Sequence, residues 1–328
     1  MAQDFGSSQT FFPKLNQSQP RAHSENMGNS GGRDTSSEQY VQHPDHLSLG
    51  VVLGGRPRTR CVETQGYSMK SFLHDRLGFP ESYTRDEHKL GSVTKAYGDG
   101  LTGYDLCEAI KAFMKAQDVD NLSIAEFLHS ESVSNPEAKV PAVRRAVVFV
   151  SHIQKADPFD VLSYPTGYDL FRWNRDGTNK QKMESCLRRD HACGEVFFTN
   201  LLEYPLWIDY FCLRQCTHDF KLPKILQVIR DIGFTVVLLP RDESEYLSRS
   251  FCIFELFATI SSDGTMFVDG RGTHSGVKVD VKATKTRDEA DKITIDAYID
   301  TIGADVVNSA VEQAISQAQK IYNIGMSS

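Results

Sequence analysis

A single acidic residue stands inside an otherwise apolar segment, and it is the first candidate for chemistry in this chain. Between Phe251 and Ile260, in FCIFELFATI, Glu255 is the only charged side chain. A helix that is apolar on almost every face is normally buried. A buried carboxylate must be paired, hydrogen-bonded or held neutral, because an isolated buried charge costs several kcal/mol. Glu255 is therefore expected to be either a structural carboxylate, satisfied by backbone amides or a nearby base, or a catalytic one.

Polar side chains follow three apolar runs that are typical of buried strands. The runs are AVVFV (146–150), LWIDY (206–210) and FTVVLL (234–239). In an open α/β sheet, ligands bind in the crevice beyond the carboxyl ends of the strands. We expect Glu255 to reach the same crevice from the helix that follows the third strand. The other side chains predicted to bind a ligand there are Ser151, His152, Asp209, Tyr210, Arg241 and Arg249.

The segments around these residues alternate between strand and helix patterns. TMFVD (265–269) predicts a fourth strand, and VKVDVK (277–282) predicts a fifth or an edge strand. Between the second and third strands, KLPKILQVIRDIG carries an apolar helical face and ends at Gly233, a helix stop signal. Strand–helix–strand alternation implies parallel pairing with right-handed crossovers. The predicted fold class is therefore α/β, a flavodoxin-like doubly wound parallel sheet with helical extensions at both ends.

Composition shifts divide the chain into four expected parts. Its start is rich in Ser, Gly, Gln, Asn and His, a composition that cannot bury enough apolar surface to offset the entropy of ordering. Helical periodicity follows in YDLCEAIKAFMKAQ, and Ser123 with Glu126 forms a capping-box signature. The expected parts are a disordered tail at 1–60, a small helical extension at 61–142, the α/β domain at 143–270 and a strand and helical extension at 271–328.

Composition and charge disfavour several classes of function. The 328 residues carry a net charge of −7 without a basic stripe, which argues against nucleic-acid binding. No apolar run reaches the roughly 18 residues of a membrane helix. Seven scattered cysteines favour reduced thiols and a cytoplasmic protein. The spacing of Cys212 and Cys216 with His218 matches no common zinc pattern, so no metal site is predicted.

Several short strings, in order, resemble the conserved boxes of Toll/interleukin receptor (TIR) domains. FVSH (149–152), WIDYFCLRQ (207–215) and LSRSFCIFEL (247–256) are similar to boxes of a TIR-like group from protists and algae. The similarity covers about 145–270. Phe251 stands where the family's helix box usually has tryptophan, and Arg249 stands where a serine usually precedes it.

This resemblance implies two kinds of function. Many TIR domains act as signalling or assembly modules through protein–protein contacts, which implies protein partners or self-association. Many also cleave NAD between nicotinamide and ribose, and in those the glutamate of the helix box is catalytic, a role that would fall on Glu255. NAD would then be a substrate, and no other cofactor would be required. A nearby carboxylate can stabilise the oxocarbenium-like state of such a cleavage.

Overall fold

Apolar runs of the sequence form the centre of a six-stranded mixed sheet in the computed structural model. Its strands are ordered β2-β1-β4-β3-β5-β6, and β4, β3, β5 and β6 run parallel to one another. β1 is antiparallel to both of its neighbours. The strands are β1 Leu49–Val52, β2 Val143–Arg145, β3 Val148–Ser151, β4 Pro205–Trp207, β5 Phe234–Leu239 and β6 Thr265–Gly270.

The helices surround this sheet, which confirms the α/β class predicted from the sequence. The described residues are 46–53, 68–78, 102–156, 158, 161, 204–217, 220–240, 243–270 and 278–326. Within them, no helix is long and apolar enough to cross a membrane. The helices are α1 Met69–Leu77, α2 Gly103–Ala116, α3 Ile124–Ser134, α4 Asp209–Cys212, α5 Leu222–Ile232, α6 Glu243–Leu247, α7 Ser250–Ser261, α8 Glu289–Ile302 and α9 Ala304–Met326.

Local sequence signals set the ends of several helices. The predicted capping box of Ser123 and Glu126 starts α3, and each side chain bonds the other residue's backbone amide. Helix α5 ends at Gly233, whose φ of 67° lies in the left-handed region that favours glycine. Helix α7 joins β5 to β6 and is buried along most of its length, as its composition predicts.

The expectation of a tail up to residue 60 is wrong for residues 46–53. This segment contains LSLGVVL, and its strand β1 is fully buried between β2 and β4. Trp207 on β4 donates its indole N–H to the carbonyl of Leu47 at 3.0 Å. This short apolar stretch, which lies within a polar part of the sequence, therefore forms part of the sheet. Residues 1–45 and 54–60 lie outside the described part of the chain.

The expected strand at 277–282 is also wrong for its described residues, 278–282. They form an irregular segment that ends in a short 3-10 helix, Val281–Ala283. The amide of Val279 donates to Glu312 on α9 at 2.8 Å, and the amide of Val281 donates to Asn308 at 3.0 Å. Because side chains of α9 take up these backbone donors, the segment does not pair with the sheet.

One further boundary differs from the sequence prediction. β4 ends at Trp207, and residues 209 and 210, predicted as the end of a strand, lie in the short helix α4. The C-terminal part of the chain, predicted to contain a helical extension, forms α8 and α9, which pack on each other and both contact α7. The C-terminal extension is therefore built onto the helix that carries Glu255.

Candidate active site

Two consecutive hydrogen bonds hold Glu255 near the carboxyl end of β3. Ser151, the last residue of β3, donates its hydroxyl to Oε2 of Glu255 at 2.5 Å. The same hydroxyl lies 2.5 Å from the hydroxyl of Tyr246 on α6. Because Ser151 has only one proton to donate, the Tyr246 hydroxyl is the donor in the second bond. The carboxyl group on α7 is therefore oriented by residues from two other elements, β3 and α6.

The protein environment makes this carboxyl group hard to ionise. Burial raises the pKa of Glu255 to about 8, and the negative charge of Asp209 acts in the same direction. The Ser151 hydrogen bond and the nearby His152 lower the pKa in part. At neutral pH most molecules therefore carry Glu255 as the neutral acid. A cation placed beside it would favour the carboxylate, because an opposite charge stabilises the ionised form.

A second polar pair lies beside Glu255. Nε2 of His152 is 2.8 Å from Oδ1 of Asp209, the first residue of α4. Gln154 donates to the other carboxylate oxygen of Asp209 at 2.5 Å. Burial alone would lower the pKa of His152, but Asp209 outweighs it and raises that pKa. Burial would raise the pKa of Asp209, but His152 and Gln154 hold it below its usual value. Each partner of this pair therefore favours the charged form of the other.

Both features face a cleft at the carboxyl ends of β3 and β4. Its volume is about 510 Å³, within the range of about 300–1,000 Å³ common for small-molecule sites. Of the predicted ligand-binding residues, the cleft brings together Glu255, His152, Asp209 and Arg249. Ser151 is fully buried behind Glu255 and acts through it.

Tyr210 does not lie where the sequence suggests. It is fully buried, and its ring stacks at a tilt on His152, with 4.5 Å between the ring centroids. Its hydroxyl packs against Gly103 at the start of α2, where an added Cβ would lie only 1.9 Å away. The prediction that Tyr210 binds a ligand is therefore corrected, because its role is to support His152 from behind.

The two predicted arginines have different outcomes. Arg241 lies outside the described residues. Arg249 lines the cleft immediately before α7, and its Nη2 donates to the hydroxyl of Tyr104 at 3.3 Å. Within the described part of the chain, Glu255 makes no salt bridge, and its hydrogen-bond partner is a serine. The structural alternative in which a nearby base pairs with Glu255 is therefore not seen among the described residues.

Several cleft residues were missed by sequence reasoning because they lie in the two extensions. Lys111 comes from α2, Arg287 and Asp288 come from the segment before α8, and Asp291 lies in the first turn of α8. No local pattern marks them, since their approach to Glu255 depends on how the extensions pack. Gln154 lies two residues after FVSH, and proximity to a strand end could have indicated it.

Two buried cysteines near the cleft, Cys212 and Cys252, are free thiols that pack in the protein interior. Cys212 is buried, and burial raises the pKa of its thiol to about 12. Cys252 is buried beside Glu255 and donates to the carbonyl of His152 at 3.6 Å. Among the described residues, no group of histidine, cysteine and carboxylate side chains is arranged to hold a metal ion.

No protein-family model, curated protein or solved structure matches the chain.

Proposed function

We propose that this chain cleaves NAD between nicotinamide and ribose, as a glycohydrolase or cyclase, with Glu255 as the catalytic carboxylate. The observation that carries the proposal is the position of Glu255 at the cleft, oriented by Ser151 and without a salt bridge among the described residues. A carboxylate paired with a buried arginine would have favoured a structural role. The raised pKa supports the same conclusion, because strongly perturbed groups in clefts are often functional.

The proposed reaction requires little acid–base chemistry from the protein. The bond from ribose C1′ to the pyridinium nitrogen breaks, and its electron pair moves to the ring, which leaves as neutral nicotinamide. Positive charge then develops on the ribose, where ionised Glu255 stabilises it. Water adds to C1′ and releases a proton to give ADP-ribose, or the adenine ring of the same molecule attacks to give a cyclic product. No oxidant or reductant is needed.

The positive charge of the substrate explains how a carboxyl group with a pKa near 8 could serve at neutral pH. The nicotinamide ring of NAD carries a positive charge, and binding it beside Glu255 would favour the ionised carboxyl group. The ionised side chain would then face the ribose as its charge develops. The cleft provides a partly desolvated setting, in which this attraction is stronger than in water.

The proposed fold assignment is a TIR-like, flavodoxin-like domain. In chain order, the four parallel strands are arranged 2-1-3-4, since β4 and β5 flank β3 and β6 follows β5. The flavodoxin-like order begins in the same way. The helix box containing Glu255 follows the third parallel strand, as the resemblance requires.

The test is to incubate the purified chain with NAD and to separate nicotinamide, ADP-ribose and any cyclic product by chromatography. Because TIR catalysis generally requires self-association, the protein should be assayed over a wide concentration range. Nicotinamide release that rises faster than linearly with protein concentration is expected. A non-catalytic signalling module, the other function that the resemblance implies, would release none at any concentration.

A further inference from the structure

Two arginines that line the cleft contact the same tyrosine and have no acidic partner among the described residues. Arg249 donates to the hydroxyl of Tyr104 at 3.3 Å. The guanidinium carbon of Arg287 lies 5.0 Å from the centroid of the same ring. Both arginines line the cleft that contains Glu255. Two like charges held against one side chain repel each other, and an anion between them would relieve that repulsion.

The other charged side chains of the cleft already have partners. Lys111 is paired with Glu108 at 2.7 Å. Arg214 forms a two-bond pair with Glu126, at 2.6 and 3.0 Å. On the acidic side, Asp288 accepts the amide of Ala290 at the start of α8. The positive charge still available to a ligand is therefore concentrated at Arg249 and Arg287.

Backbone hydrogen bonds fix Arg287 close to the start of α7. Residues 284–287, here called the strap, run beside Ser248–Ser250, where Arg249 and Lys285 form a parallel bridge. The amide of Lys285 donates to the carbonyl of Ser248 at 2.8 Å, and the amide of Ser250 donates to the carbonyl of Lys285 at 3.1 Å. The buried hydroxyls of Ser250 and Thr284 are 2.8 Å apart. The strap thus holds Arg287 in a defined position relative to Glu255.

We propose that Arg249, Arg287 and Tyr104 form a subsite for the diphosphate group of a nucleotide. Arginine suits this role, because its planar guanidinium donates two parallel hydrogen bonds to phosphate oxygens. This inference rests on the proposed function for the identity of the nucleotide. It goes further in assigning the diphosphate contacts to the two extensions, which contribute Tyr104 and Arg287. It predicts that an uncharged nucleoside binds poorly even if its base fits the cleft.

The test measures binding and not turnover, so that it is independent of catalysis. Inorganic pyrophosphate, ADP-ribose and adenosine are titrated into the full chain by calorimetry at low salt. Binding of pyrophosphate and ADP-ribose is expected to weaken about 10-fold or more in Arg287→Gln and in Arg249→Gln, the usual cost of losing a charge-assisted hydrogen bond. Lys285→Gln is the matched control, since it removes the same charge from the exposed side of the strap. Circular dichroism verifies that each variant is folded.

Each outcome supports or overturns the subsite. Loss of binding in both arginine variants, with unchanged binding in Lys285→Gln and weak binding of adenosine, supports it. Equal binding in Arg287→Gln and Lys285→Gln overturns it, as does failure of the unaltered chain to bind either phosphate compound. Glu255→Gln separates this inference from the proposed reaction, because it should still bind pyrophosphate. A chain that binds pyrophosphate through these arginines but never cleaves NAD would retain the subsite and refute the proposed function.

Discussion

The hydroxyl of Ser151 donates to Oε2 of Glu255 across 2.5 Å, and this bond joins the end of a central strand to the helix that follows the next strand. Ser151 does not reach the cleft itself. Its contact nevertheless fixes the direction of the carboxyl group and lowers the pKa of Glu255 against the opposing effect of burial. Ser151 is therefore a positioning residue, and its effect should be visible in the pH dependence of catalysis.

Replacing Ser151 by alanine should move the ionisation of Glu255 to higher pH. Loss of this hydrogen bond is expected to shift the rising limb of kcat/KM upward by about one pH unit, and to lower activity at pH 7 by a similar factor of about 10. A full pH–rate profile measures both. Tyr246→Phe is the comparison, since it removes the outer bond but keeps the one to Glu255, and it should shift the profile less. Identical profiles for Ser151→Ala and the unaltered chain would contradict this role.

The raised pKa of Glu255 also predicts how stability changes with pH. In the unfolded chain this carboxyl group titrates near its ordinary value of 4.5, whereas in the folded protein it titrates near 8. The folded state binds the proton more tightly than the unfolded chain does. The stabilisation of the folded state by this protonated group is therefore fully present below about pH 4.5 and is lost as pH rises towards 8. Glu255→Gln should therefore gain stability relative to the unaltered chain between these limits, by about 1–3 kcal/mol at pH 8.5 compared with pH 4.5.

Urea unfolding at pH 4.5, 6.5 and 8.5 measures this difference, because pH effects shared by both proteins cancel. Glu289→Gln, at an exposed position at the start of α8, is a suitable control and should show little change of this kind. A constant difference in the free energy of unfolding between Glu255→Gln and the unaltered chain across this range would show that the pKa of Glu255 is not raised in the folded protein.

Gly103 is predicted to be required by the close approach of Tyr210. Alanine normally stabilises a helix relative to glycine, but a Cβ at Gly103 would lie 1.9 Å from the Tyr210 hydroxyl and 2.4 Å from the carbonyl of Gln154. We expect Gly103→Ala to destabilise the protein by about 1–3 kcal/mol. Thermal unfolding with a double-mutant cycle is the appropriate measurement. In a Tyr210→Phe background the cost of Gly103→Ala should be smaller, although the ring carbon at 2.4 Å still obstructs the Cβ. Additive effects would rule out this contact as the cause.

The pair of Glu126 and Arg214 is predicted to fasten the helical extension to the loop after α4. Burial alone would raise the pKa of Glu126, but Arg214 and the amide of Ser123 outweigh it and lower that pKa. The ionised Glu126 therefore stabilises the folded protein above the pKa that it has in the unfolded chain. This stabilisation is lost as pH falls through the pKa of Glu126 in the folded protein. Glu126→Gln should lower the free energy of unfolding by about 1–2 kcal/mol at pH 7.

An exposed pair in the same extension provides the control. Lys111 and Glu108 are 2.7 Å apart, but the glutamate side chain is 61% exposed, against 14% for Glu126. Solvent screens such pairs, so Glu108→Gln should cost about 0–0.5 kcal/mol. If the two substitutions change the free energy of unfolding equally, the bond between Glu126 and Arg214 does not hold the extension in the way the geometry suggests.

The parallel part of the sheet was predictable because its strands are short, buried and apolar on both faces. FTVVLL gave β5 with its observed bounds, and the strand-end rule placed Asp209 and His152 at the crevice. The rule failed for Tyr210, because α4 begins at Asp209 and turns the next side chain into the core. Side-chain direction after a strand depends on the backbone that follows, which the apolar pattern alone does not specify.

The contributions of the extensions to the cleft could not be predicted, for a different reason. Arg287 and Tyr104 are separated in sequence by most of the chain, and their meeting depends on backbone bonds between the strap and residues 248–250. Strand β1 was missed in a similar way, since its few apolar residues lie within a polar stretch. Tertiary pairing stabilises both segments, and neither carries a strong local signal.

The most direct test of the account is the rate of nicotinamide release from NAD by the unaltered chain and by Glu255→Gln, at a protein concentration high enough for self-association. The substitution keeps the size of the side chain and its ability to accept the Ser151 hydrogen bond, but it removes the negative charge. If Glu255 is the catalytic carboxylate, the unaltered chain and the Glu289→Gln control should release nicotinamide at similar rates, and Glu255→Gln should be slower by about 100-fold or more. Equal rates for Glu255→Gln and the unaltered chain, or no release by either, would contradict it.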